Sequence, residues 1–280
     1  MNFNNIIDEL ASDNTERFEQ PAHRREILKG WGTKLAMAAV PFAAASLFAN
    51  KSYGQSKETI INILNYLLKA EYISRKLYAE AMKVDSLLPA EFMSQFEMVA
   101  AHTQLHMDTL KQLIAELGGS ATTIDDAKID LAGNGGFGGG PFADALTNTE
   151  DFLILMQVLT DAGERIYKGQ TFQVLSDKIT LRALTTIHSV KARQAAFARY
   201  LRNYWIGDDV KPWITGTSSD TTNTAAQRAY AGEGNTTQLG IDIVGINGYK
   251  VSTDAATQAF DEPLNMIEGN NILNRFIDMR

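Results

Sequence analysis

The chain has 280 residues, 45% of them hydrophobic and 21% charged, which is ordinary globular composition and enough length to bury a core without covalent cross-links. It contains no cysteine, which excludes disulfides, a thiolate metal site and a lipoprotein anchor. The net charge is −7 and residues 1–55 hold six acids and six bases, so the acidity falls on the remainder. An acidic body argues against nucleic-acid binding, which needs a basic face.

Residues 23–50 read "HRREILKGWGTKLAMAAVPFAAASLFAN". Arg24 and Arg25 precede Ile27, Leu28 and Lys29, and an alanine-rich apolar run follows from Leu35 to Ala49. About 15 apolar residues fit a signal-peptide core better than a membrane span, which needs about 20. The arginine pair resembles the twin-arginine export signal, with His23 where that signal usually has Ser or Thr. Residues 1–55 are therefore expected to be a signal and linker on a periplasmic or extracellular protein, touching a membrane only through an uncleaved signal. The alternative is a cytoplasmic protein with an amphipathic tail.

Four helical segments follow. Residues 56–82 place apolar side chains at Ile60, Leu64, Leu67, Leu68, Tyr78 and Met82, with Ser56 as an N-terminal cap. Residues 89–119 carry a seam through Phe92, Phe96, Val99, Thr103, His106, Leu110, Leu113 and Leu117, and Gly118-Gly119 closes it. Residues 120–148, with "GNGGFGGGPF", have no period; so long a connection suits a crossover running the length of a bundle. It has neither the strand nor the Lys-Ser/Thr ending of a phosphate loop. Residues 149–174 form the third segment, with Thr149 as its expected cap. Residues 177–205 form the fourth, with a seam through Leu184, Ile187, Lys191, Gln194, Ala198, Leu201 and Trp205. Residues 206–256 are rich in Thr, Gly, Asn, Asp and Ser, with a hairpin expected around Asn247-Gly248. Residues 261–279 read as a terminal helix capping the bundle.

The seams are interrupted by polar residues near the helix centres: Glu71, Thr103 with His106, Thr160, and Lys191 with Gln194. One slot on two helices and an i,i+3 pair on the other two is the layout of carboxylate-bridged di-iron bundles, whose slots hold Glu, Glu-x-x-His, Glu and Glu-x-x-His. Carboxylates neutralise and bridge two cations there, and imidazoles complete their shells. Only Glu71 and His106 are of the required types.

"LLKAEYISRKLY", "AAHTQLHMDTLKQLI", "VLTDAGERIYKG" and "IHSVKARQAAF" resemble the four helix motifs of the ferritin-like domain family that includes bacterial exported and desiccation-related proteins. "AFDEPL" (259–264) resembles a C-terminal segment of that family. The resemblance implies an all-α fold. A ferritin-like four-helix bundle with a long crossover connection would occupy 56–205. An irregular C-terminal extension, 206–280, would pack on it and end in a helix. It also implies that Thr103, Thr160, Lys191 and Gln194 stand where ligands would.

The expected centre is therefore vestigial, with no metal, no other cofactor and no catalytic residue, and with Lys191 paired to Glu71. Were Lys191 instead to leave the seam, with Ala183, Val190 and Phe197 taking it over, the ammonium would snorkel to solvent. The expected role is structural or partner-binding, with a metal-binding ferritin-like relative or a second copy as partner. The alternatives are an iron-binding protein of storage or oxidase type, drawing on His102, Asp161 or Glu164 beside Glu71 and His106, and a stress or desiccation-related protein.

Overall fold

The computed structural model describes residues 55–219, 221 and 223–280. The arginine pair and the apolar run after it lie outside the described residues.

Helix α1, Lys57–Ala81, opens on Ser56, whose side chain accepts from the Thr59 amide, with Glu58 favourably placed in the first turn. Helix α2, Met93–Glu116, begins later than expected, after a 3₁₀ turn, Ala90–Phe92, that follows Pro89. It ends on two backbone bonds, Gly119 N to Ile114 O and Gly118 N to Ala115 O, both 2.9 Å. Gly118 supplies the positive φ, 84°, that this double-bonded end requires.

The connection then runs back along α1. Asn65 holds Ser120 and Thr122, Arg75 pairs with Asp126, and Thr149 reaches the Leu87 carbonyl. Along the way Ile129 forms a bridge with Ile277 near the C-terminus.

Helix α3, Thr149–Thr171, is capped by Asn148, which accepts from the Glu150 and Asp151 amides. Thr149, the cap expected from sequence, is instead the first helical residue: the longer amide side chain reaches back to both donors, freeing the threonine hydroxyl for Leu87. Helix α4, Lys178–Leu201, is capped by Asp177 and runs into a π-helical turn, Arg202–Ile206, closed by Gly207 at φ 85°. Trp205, the last residue of the expected seam, therefore leaves it and is 40% exposed.

Helices α1 and α2 pack as one pair and α3 and α4 as another, and the pairs meet chiefly through α1 and α3. The extension contributes short helices α5, Thr224–Gln227, and α6, Thr253–Gln258, and a terminal helix α7, Met266–Leu273. The Asn265 side chain and Glu268 form a reciprocal cap on α7. A minimal hairpin pairs β1, Thr237–Gln238, with β2, Ile241–Asp242, and turns at Leu239-Gly240. The expected turn at Asn247-Gly248 lies instead in a 3₁₀ turn, Ile246–Gly248, because no strand follows it to pair.

Helix α3 is the centre of the structure, with every residue from Phe152 to Tyr167 buried. The extension covers the face that α1 and α4 leave open. Leu264 donates its amide to the Arg165 carbonyl at 3.0 Å, and a Cβ on Gly169 would lie 2.0 Å from the Leu264 carbonyl oxygen. On α7, a Cβ on Gly269 would lie 1.7 Å from the Tyr66 hydroxyl, so glycine sets that crossing too.

Candidate functional site

Each polar seam position lies on the inward line of its helix, and Glu71, His106 and Lys191 come together at mid-bundle. Glu71, Thr103, His106, Thr160, Lys191 and Gln194 are all buried. The Lys191 ammonium donates to Glu71 Oε2 at 2.8 Å, and the Tyr167 hydroxyl donates to Glu71 Oε1 at 2.8 Å. His106 Nδ1 stands 3.6 Å from Glu71 Oε2, too long for a hydrogen bond but close enough for electrostatic contact. Glu71 is 0% exposed and Lys191 2%, so neither charge is shared with water. The lysine stem passes Gly163, where a Cβ would stand 3.6 Å from Lys191 Cδ, an ordinary packing distance.

Burial pushes the Glu71 carboxyl up, but the Lys191 ammonium and the His106 imidazole outweigh it and hold the group at about 2. Tyr167 and Tyr78 are both raised, first by burial and then by the Glu71 charge, so each remains a neutral phenol.

The two threonine hydroxyls are spent on their own helices. Thr103 Oγ1 donates to the Val99 carbonyl at 2.9 Å, and Thr160 Oγ1 donates to Met156 at 2.8 Å, each closing a bond on its own helix. The Gln194 amide is buried without a hydrogen-bond partner among the described residues.

A family model described as a ferritin-like domain matches residues 59–204. The chain belongs to the ferritin-like domain family. Comparisons with curated proteins and with solved structures return no match. A di-metal centre in a ferritin-like bundle takes a Glu from each of two helices and a Glu-x-x-His pair from the other two. The donors here do not fit one. The Thr103 and Thr160 hydroxyls are bonded to their own helices, and the one carboxylate among the six seam positions, Glu71, already accepts the Lys191 ammonium.

The other acids considered as ligands do not join this centre. Asp161 Oδ2 takes Arg199 at 2.5 Å and the Tyr230 hydroxyl at 2.6 Å. Glu164 Oε1 lies 2.5 Å from His188 Nε2. His102 stacks on His106, with ring centroids 6.5 Å apart, and both rings line a groove.

Asp161 instead belongs to a second buried network, which sequence reasoning missed. Gln157 donates to the Tyr230 hydroxyl at 3.0 Å and to the Ser219 carbonyl at 3.1 Å, while Arg202 donates to Gln157 Oε1 at 2.6 Å. One turn along α3, Arg165 meets Glu233 at 2.6 Å and donates to the Ala229, Ala231 and Glu262 carbonyls. Glu233 Oε1 also accepts the Glu262 amide at 2.9 Å, but its Oε2 has no partner among the described residues. Burial accordingly raises the Glu233 carboxyl to about 7, against the pull of Arg165. These contacts fasten the extension to α3. The available signal was the third segment itself, whose apolar residues run through Phe152, Leu153, Ile154, Leu155 and Met156 around every face; a helix apolar all round is a buried one.

Proposed function

We propose that this ferritin-like protein is a metal-free member of its family with a structural or partner-binding role, its centre filled by the Lys191–Glu71 ion pair. The observation that carries this reading is the Lys191 ammonium 2.8 Å from Glu71, the one carboxylate among these seam positions. A fixed positive charge there repels the cations the centre would hold, and Tyr167 and Lys191 each take one oxygen of Glu71. The twin-arginine-like Arg24-Arg25 segment supports export, to the periplasm or outside the cell. A metal-binding ferritin-like relative is the proposed partner, since the twin-arginine route carries folded proteins and a bundle face can pair with another.

Aerobic oxidation of ferrous iron tests the catalytic half. The protein should leave the buffer rate unchanged; acceleration that is lost in His106→Ala would overturn the proposal. Co-expression with such a relative tests the partner half: a stable complex is expected, and a monomer throughout counts against it. The alternative iron-binding role would draw on His102, Asp161 and Glu164, but Arg199 already holds Asp161 and His188 already holds Glu164.

A further inference from the structure

A groove with a volume of about 660 Å³ opens between α2 and α4, in the size range of small-molecule sites. The two helices run antiparallel across it. At one end Phe96 packs on Phe197 with centroids 5.6 Å apart, and Phe92 packs on Tyr204 at 5.2 Å, so aromatic rings close the space between them. Beyond that stopper the helices are bridged by little, and the groove continues toward the start of α4.

Its walls are apolar but its charge has one sign. Ala183, Ile187 and Val190 form the α4 side, Leu105 faces them from α2, and Lys178 and Arg182 stand at the open end. Leu105 is 61% exposed and Ile179 70%, so two large apolar side chains sit bare at the lips. No lining residue is acidic, although the protein carries net charge −7. Among the described residues neither Lys178 nor Arg182 has a carboxylate within salt-bridge distance. They lie one turn apart on the same helix face, spaced to share one anion. In the wall, His106 turns Nδ1 toward Glu71 at 3.6 Å, and that nitrogen has no hydrogen-bond partner among the described residues.

We propose that this groove binds a linear amphipathic carboxylate, a free fatty acid, with its head on Lys178 and Arg182 and its tail running along α4 toward the aromatic stopper. From Lys178 to Val190 is about 18 Å at 1.5 Å per residue, the length of an extended long acyl chain. The occupant is an anion because every charged or titratable lining group is a base, and it is apolar because the rest of the lining is, apart from Thr109 and Thr186, whose hydroxyls donate to carbonyls of their own helices. A second copy laid groove to groove fits less well, since it would set the same cations against one another with no acid in either lining.

The test is competition on the full-length protein. A fluorescent fatty acid is displaced by palmitate and, separately, by palmitate methyl ester. Palmitate should displace at micromolar concentrations and the uncharged ester about tenfold less well, since one lost charge contact of ordinary strength is worth about a factor of ten. Lys178→Glu with Arg182→Glu should weaken palmitate by at least about tenfold, and Ala183→Trp, which fills the groove, should abolish displacement. Palmitate should move the imidazole NMR signals of His102 and His106 and leave that of His188 in place. Circular dichroism of the variants separates lost binding from lost folding. The proposal is overturned by absent displacement, by equal displacement with the ester, or by binding that survives both variants. Dimerisation abolished by Ala183→Trp without palmitate binding would assign the groove to a second copy and overturn it equally.

Discussion

Replacing Lys191 with methionine removes the ammonium and leaves the Glu71 charge in the bundle centre. The partners are 2.8 Å apart, and at an effective dielectric of about 20 their attraction is about 6 kcal/mol, which sets the upper scale. Glu71 keeps the Tyr167 hydroxyl at 2.8 Å, so part of its solvation survives. Lys191→Met should therefore lower unfolding free energy by about 3–5 kcal/mol, the usual result of leaving one member of a buried pair. Adding Glu71→Gln removes the orphaned charge, and the double variant should return to within about 1 kcal/mol of the parent, since a neutral pair of similar volume avoids desolvating two ions. Urea unfolding followed by circular dichroism measures all four corners of the cycle. The reasoning fails if Lys191→Met costs less than about 1 kcal/mol, or if the double variant is no more stable than the single one.

Three further outcomes follow from the same structure. The Glu71 carboxyl lies below its ordinary 4.5 in the folded state, so its contribution is present above that pH and is lost as pH falls toward about 2; acid titration of stability should show this loss, and Glu71→Gln should flatten it. Glu233 has the opposite sign: raised from 4.5 to about 7, it holds a proton in the folded protein that the unfolded chain releases, so stability should fall as pH rises through that window, and Glu233→Gln should reduce the slope of melting temperature against pH. Gly169→Ala should destabilise by about 1–3 kcal/mol despite the better helix propensity of alanine, because the added Cβ meets the Leu264 backbone carbonyl at 2.0 Å; faster hydrogen exchange at Leu264 would report the loosened extension, and an unchanged protein would refute the close approach.

The sequence carried the centre because helical spacing is a one-dimensional signal. Lys191 falls on the line of Leu184, Ile187, Ala198 and Leu201, and the structure buries all five. The α2 seam was legible for the same reason, from Phe96 through Leu113. The long connection was legible as a crossover because it lacks any period, although its attachments at Asn65 and Arg75 were not. The network of Asp161, Arg199 and Tyr230 was hidden. Its members are distant in sequence, and Tyr230 belongs to an irregular extension in which no period marks the inward side. Arg165 and Glu233 were hidden likewise, since a buried charge looks like a surface charge until its partner is placed. The hairpin was misplaced because Asn247-Gly248 is a strong local turn signal, but a hairpin also needs a strand after its turn, and among the described residues the last strand ends before it, at Asp242.

The central claim is that the Lys191–Glu71 pair stands in place of the family's metal ions. Elemental analysis of the purified protein after loading with iron, manganese and zinc, followed by removal of loosely bound ions, addresses it most directly. The account predicts metal far below one equivalent per chain, and no change when His106 is replaced by alanine. One or two equivalents retained by the parent and lost in His106→Ala would contradict it.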